Sequence, residues 1–145
     1  MKTWRLIGVL ALASASLAAC ARRTMAPEPL PVDRVECARC RMLISTDSGG
    51  GEIVSATDET RFYDDIGCLA ADWETHAGDA RAYVRVAGEW RNVQDTSFAQ
   101  PAAARTAMAS GLVAFAAPAD ARTADRAGRA LTFGDIVRMS GGTRR

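Results

Sequence analysis

Apolar and polar residues alternate in several short segments along the first two thirds of the chain. A period of two is typical of strands that bury one face, and clusters of Gly, Asp and Thr separate the segments as turns. We therefore expect much of this part of the chain to form a β-sheet. The predicted strands are 41–45, 52–57, 61–63, 81–86 and 89–93.

One segment between these strands has the helical period instead. Residues 64–76 carry apolar side chains at i, i+3, i+4 and i+7, which predicts a helix with one buried face. Asp64 or Asp65 can cap its N-terminus, where a carboxylate also suits the helix dipole, and Gly78 is well placed to end it. The predicted buried stripe is Ile66, Leu69, Ala70 and Trp73.

The second half of the chain is rich in alanine and repeats the same order of elements more weakly. Residues 111–117 predict a strand, and 118–128 predict a short helix that begins at Pro118. Residues 132–140 predict a closing strand or helix. The whole pattern predicts an α+β fold of two small ββαβ-like units.

The N-terminus has the layout of an export signal. Lys2 and Arg5 precede an apolar run that is shorter than the roughly 20 residues needed to span a bilayer. The sequence LAAC at its end resembles the lipobox of bacterial lipoproteins, in which cleavage precedes a cysteine that is then lipidated. We expect 1–19 to be a signal peptide and Cys20 a lipid anchor on the periplasmic side of a bacterial membrane. The alternative is an ordinary signal peptide that leaves Cys20 as a free thiol.

Composition sets the remaining boundaries and excludes one class of partner. Residues 20–34 are rich in proline and lack periodicity, which predicts a flexible tether after the lipidated cysteine. Residues 35–140 then form one domain, and 141–145 a frayed tail. The 18 basic and 17 acidic side chains nearly balance and form no basic stripe, so no nucleic acid is expected to bind.

Three cysteines are left after Cys20, namely Cys37, Cys40 and Cys68. An odd number in an oxidising compartment leaves a thiol unpaired, which indicates a task for that thiol. A structural disulfide, a redox-active pair and a zinc site with His76 are the alternatives. The redox pair is disfavoured because the CxxC leads into a predicted strand. The zinc set is disfavoured because about 12 Å of helical rise separates His76 from Cys68.

Met42 changes the preferred metal. In an extended segment Cys40 and Met42 project from the same face of the chain, so both can reach one ion. A thiolate with a thioether is a soft ligand pair that favours Cu(I). The alternative is that Met42 is a core residue beside Leu43 and Ile44.

The sequence has no nucleophile–base pair around its single histidine and no phosphate-binding glycine loop with lysine, so an enzyme is not expected.

The segments CARCRMLIS and RFYDDIGCLAADW, together with the lipobox, resemble the NosL family. These are membrane-anchored accessory lipoproteins that deliver copper to nitrous oxide reductase, with a fold of paired ββαβ units. The resemblance covers nearly the whole chain after the lipobox. The positions that carry it are Cys20, Cys37, Cys40, Met42, Phe62, Asp64, Asp65, Ile66, Gly67, Cys68, Trp90, Asp95 and Met108.

The resemblance implies a Cu(I) metallochaperone with Cys40 and Met42 as its principal ligands. It also implies a functional aspartate, for which Asp95 is the expected position and Asp64 and Asp65 are competitors. Its implied partners are a cuproenzyme, nitrous oxide reductase foremost, and the assembly factors of that enzyme. Further candidate metal ligands are Cys37, Cys68 and Met108.

Two features of this chain bear on that hypothesis. Arg41 stands between Cys40 and Met42, where members of the family commonly have glycine. The histidine that some members carry in the second half is replaced by Gly111 or Phe115. The alternative function is an anchored lipoprotein with a structural disulfide or zinc site and a binding or scaffolding role.

Overall fold

The structure, a computed structural model, describes residues 24–141. Its centre is an antiparallel sheet of four strands in the order β2-β1-β3-β4. Gly51 in the central strand β1 lies opposite Tyr63 of β2 on one side and Val84 of β3 on the other. The strands are β1 (Gly51–Ser55), β2 (Arg61–Tyr63), β3 (Ala80–Val86) and β4 (Glu89–Asn92).

Helix α1 (Ile66–His76) follows β2 and covers one face of this sheet. Leu69 is fully buried, and a Cβ added at Gly51 would lie only 2.7 Å from Leu69 Cδ2. Glycine at position 51 therefore allows the helix to approach the sheet closely. Burying a leucine side chain of this kind contributes about 2 kcal/mol to stability.

The second half of the chain forms a smaller unit against the first. Strands β5 (Ser97–Ala99) and β6 (Val113–Phe115) pair antiparallel, and helix α2 (Pro118–Ala124) follows them. Leu131 then forms a single bridge with Phe98 of β5, before helix α3 (Phe133–Gly141) closes the described chain.

The α+β fold class is confirmed. In the first half, strands β1 to β4 and helix α1 match the segments predicted at 52–57, 61–63, 81–86, 89–93 and 64–76. In the second half, the last strand of the predicted unit is reduced to the bridge at Leu131. The closing segment, predicted as strand or helix, is helix α3. Its Phe133 ring lies against Trp73 of α1 and Phe98 of β5, at 5.8 and 6.1 Å between ring centroids, so both halves share one core.

The predicted strand at 41–45 is wrong. Within it only Leu43 bridges another strand-like residue, Glu36. The chain turns at Arg41, which has a φ of 67°, and the Cys37 N–H donates to the Met42 carbonyl at 2.8 Å. The parity argument that placed Cys40 and Met42 on one strand face therefore does not apply.

The proline-rich segment is described from residue 24 onward, and there it packs on the sheet. The Trp90 indole donates to the Glu28 carbonyl at 2.9 Å, and the Glu28 N–H donates to both oxygens of Glu52 in β1. Tyr83 of β3 donates to the Met25 carbonyl. The folded domain thus begins before residue 35, because these bonds order the chain that was predicted to be a free tether.

The predicted signal peptide and Cys20 lie outside the described residues, as do residues 142–145 of the predicted tail. Within 24–141 none of the helices has the length and apolar character needed to cross a membrane.

Candidate metal centre

Three thiols and one carboxylate converge at the N-terminus of α1. The sulfur atoms of Cys37, Cys40 and Cys68 and a carboxylate oxygen of Asp64 all lie within 4.8 Å of one another. Cys37 and Cys68 are buried, whereas Cys40 and Asp64 are half-buried. All three cysteines are free thiols. The four groups form a candidate metal-binding site with one accessible side.

A tight loop delivers two of the thiols. Besides the Cys37–Met42 bond, the Arg41 N–H donates to the Cys37 carbonyl at 2.9 Å, which closes the loop on itself. The Ala38 N–H donates to the Phe62 carbonyl at 2.8 Å and fastens the loop to β2. Because Phe62 precedes Asp64 by two residues, this bond brings the loop to the start of α1.

The helix start delivers the other two groups. Asp65 is the N-cap, and its side chain accepts from the Gly67 N–H at 2.6 Å. Asp64 stands just before the cap, and Cys68 lies in the first turn. The partial positive charge of a helix N-terminus favours negative charge at this place. The sequence offered both aspartates as caps. In the structure Asp65 caps the helix, and Asp64 lies with the thiols.

Shared protons set the charge of the cluster. A hydrogen bond with the Cys68 thiol lowers the pKa of Cys37 to about 4, and the same bond together with burial raises the pKa of Cys68. Burial raises the pKa of Cys40, whose thiol donates to both Asp64 oxygens at 3.6 Å. Burial and the neighbouring Cys37 raise the pKa of Asp64 to about 6. A cation bound by all four groups would therefore displace protons.

The two predicted methionine ligands lie outside this four-membered group. Met42 is 49% exposed, and with Asp64 it lines a cleft of about 670 Å³ beside the cluster. Met108 is 46% exposed. Asp95 ends the 3₁₀ turn Val93–Asp95 after β4, is exposed, and is not among the four grouped residues. The ligand roles of these three residues stay predictions.

A loop at residues 104–111, the hinge loop, packs onto the helix start through Asp65. This carboxylate is 1% exposed and accepts from the Met108 N–H at 3.0 Å. Burial acts to raise the pKa of Asp65, but hydrogen bonds from Ser110, Thr106 and the backbone outweigh it and lower the pKa. A Cβ at Gly67 would lie 2.9 Å from the Ser110 Cβ, so glycine is needed for this close packing. The Met108 backbone is thereby held at the start of α1.

Sequence reasoning did not assign Asp64 to the cluster, although it named the residue. The sequence pattern was equally consistent with Asp64 as the N-cap of the helix, because spacing does not distinguish two adjacent aspartates before a helix. Cys68 does not belong to the predicted buried stripe of α1, yet it is 6% exposed and packs in the core beside Cys37. Its position outside the stripe was the signal that could be followed further.

Comparison with protein-family models, with curated proteins and with solved structures finds no match. The structure by itself supports a possible metal-binding cluster of three cysteines and one aspartate.

Proposed function

We propose that the chain is a membrane-anchored carrier of Cu(I) that passes copper to an exported cuproenzyme, as its resemblance to NosL implies. The client would be nitrous oxide reductase, with the assembly factors of that enzyme as further partners. The observation that carries the proposal is the convergence of Cys37, Cys40, Cys68 and Asp64 within 4.8 Å.

The chemistry of the donors favours a soft ion. Three of the four groups are thiols, and sulfur ligands select Cu(I) or zinc over magnesium and calcium. The thioether of Met42 lies on the cleft that Asp64 also lines, so a fourth soft donor is available at the accessible side. A thioether adds to the binding of Cu(I) and does little for zinc, which favours copper as the cargo.

The backbone at Arg41 also supports the resemblance. Its φ of 67° lies in the left-handed region that glycine adopts most readily. Members of the NosL family commonly have glycine at this place, and glycine adopts this conformation without strain. The Arg41 guanidinium forms an ion pair with the Glu36 carboxylate at 2.9 Å. It therefore has a partner other than the sulfur ligands on either side of it in the sequence.

The arrangement of exposure suits transfer. Cys37 and Cys68 are buried, at 0% and 6% exposed, and would retain the ion while Cys40 and Met42 at the rim admit a ligand of the recipient. A recipient ligand can then add before the buried thiols release copper. Bound copper would thus be shielded from other thiols on the buried side of the cluster and accessible to the recipient enzyme on the exposed side.

One observation favours a second candidate function. Three thiolates with one carboxylate are four donors, which is the number that structural zinc takes in a tetrahedral site. In that case the chain would be an anchored lipoprotein with a zinc-stabilised domain and a binding or scaffolding role. The two functions differ in whether Met42 matters and in which metal the cluster retains.

An anaerobic Cu(I) titration of the purified chain against a chromogenic chelator tests the proposal. Cys40→Ser and Asp64→Asn should weaken copper binding, and Met42→Leu should weaken it less. Met139→Leu is the matched control, because Met139 on α3 is 45% exposed, much as Met42 is. Copper binding that is weak and indifferent to Cys40 would contradict the proposal.

A further inference from the structure

A second cavity, of about 410 Å³, lies against the hinge loop, whose Arg105 and Thr106 also line the cleft beside the metal cluster. Three arginines line it: Arg105 from the hinge loop, and Arg126 and Arg129 from the turn after α2. None of the four groups of the metal centre lines this cavity. We call it the arginine cavity, and its volume is within the range of small-molecule sites.

Asp125, the acidic residue that lines the arginine cavity, already accepts hydrogen bonds from within the protein. Asp125 accepts from the N–H groups of Gln100 and Ala127, at 3.0 and 2.9 Å. It also accepts from the backbone N–H and the Nε of Arg129, at 3.2 and 3.4 Å. The carboxylate of Asp125 is itself fully buried, so its acceptors are used within the protein.

The donors of the other polar wall residues are likewise used internally. Gln100 Nε2 donates to the Ser110 carbonyl at 3.0 Å. The hydroxyls of Thr106 and Ser110 both donate to the Asp65 carboxylate. The walls around the three arginines therefore offer an external ligand few donors besides the guanidinium groups.

The arginines, in contrast, have donors to spare. Within residues 24–141, Arg105 and Arg126 form no hydrogen bond or ion pair, and Arg129 uses only its Nε and its backbone N–H. Three guanidinium charges against the single charge of Asp125 leave the cavity with an excess of two positive charges. A guanidinium presents paired N–H groups that match the oxygens of a phosphate.

We propose that the arginine cavity binds the phosphate monoester group of a small organic ligand. A phosphate monoester carries close to two negative charges at neutral pH, which matches the excess charge of the cavity. The volume leaves room for an organic part beyond the phosphate. The same chemistry occurs in a soluble sugar or glycerol phosphate and in the headgroup of phosphatidic acid. The inference does not rest on copper binding.

The test uses the full chain in neutral detergent micelles, with glycerol 3-phosphate as the soluble probe. Isothermal titration and the Nε resonances of the arginines report binding. Arg105→Gln and Arg126→Gln should each weaken it roughly tenfold, since a hydrogen-bonded charge pair is lost in each case. The control is the double variant Arg81→Gln/Arg91→Gln, which removes two charges from exposed positions on β3 and β4.

A second arm separates the two sources of the phosphate. Micelles doped with phosphatidic acid are compared with micelles doped with phosphatidylcholine, with the same variants. Binding of either probe that is lost in the Arg105 and Arg126 variants and kept in the control supports the inference and identifies the source. Absence of saturable binding to both probes, or an equal loss in the control, would overturn it.

Discussion

Replacing Asp65 by alanine should destabilise the protein far more than replacing its neighbour Asp64. The Asp65 carboxylate is buried and accepts from the Gly67 N–H at 2.6 Å and from the Met108 N–H at 3.0 Å. It joins the start of α1 to the hinge loop. Asp64 is half-buried and bonds the thiols of the cluster, so no backbone N–H of another segment depends on it.

The size of the effect follows from the two bonds. Loss of an N-cap costs about 1 kcal/mol. The Met108 N–H loses a charged acceptor, and a bond of that kind contributes about 2 kcal/mol. We therefore expect Asp65→Ala to lower the free energy of unfolding by about 3 kcal/mol, a large share of the 5 to 15 kcal/mol typical of a domain.

Urea unfolding followed by tryptophan fluorescence measures the difference, with Asp64→Ala as the matched control. The control should change the free energy of unfolding by less than about 1 kcal/mol. Because hydrogen bonding lowers the pKa of Asp65, its contribution should be complete above the unfolded-state pKa and be lost as the pH falls through the lower folded-state pKa. An Asp65→Ala protein as stable as the Asp64→Ala protein would refute this account of the helix start.

Three further outcomes are expected. Burial raises the pKa of Glu52 to about 8 despite the Glu28 N–H and Arg85. Stability should therefore fall between pH 4.5 and 8 by up to about 5 kcal/mol. Glu52→Gln should abolish that slope in urea unfolding at several pH values. Gly67→Ala should cost about 1 to 3 kcal/mol, because the new Cβ meets the hinge loop at Ser110, and should speed hydrogen exchange there. Acidification should weaken Cu(I) binding roughly tenfold per pH unit for each proton released, as competition with a chelator would show.

Each of these has a matched control. Glu89→Gln on β4 removes an exposed carboxylate and should leave the pH slope intact. Gly78→Ala adds a Cβ with no atom within 4 Å, so it should not speed exchange in the hinge loop. A slope that survives Glu52→Gln would contradict the assignment of its pKa, and equal effects of the two glycine variants would contradict the packing argument. Copper affinity independent of pH would contradict binding by thiolates.

The sequence predicted the elements whose signals are local. Helix α1 was placed within two residues because its apolar period and the aspartates before it act within one segment. The β3–β4 hairpin was placed for the same reason: Ala87 and Gly88 at its turn have φ of 51° and 87°, as a tight turn of this kind requires.

The site depends on contacts that spacing does not reveal. The strand predicted around Met42 failed because the Cys37–Met42 backbone bond folds that segment into a loop. The link between Asp64 and the thiols joins residues far apart in the chain, and nothing in the local pattern separates it from Asp65. The packing of Glu28 on the sheet was missed for a similar reason, since proline-rich composition describes a segment and not its partner.

The central claim is that the cluster of Cys37, Cys40, Cys68 and Asp64 carries Cu(I). Its most direct test is to offer the purified chain equal amounts of Cu(I) and zinc without oxygen, then to measure both metals on the protein after gel filtration. We expect copper to be retained and zinc to be excluded, and both to be absent from a Cys37→Ser/Cys68→Ser chain. Zinc retained in place of copper by the unaltered chain would contradict the claim.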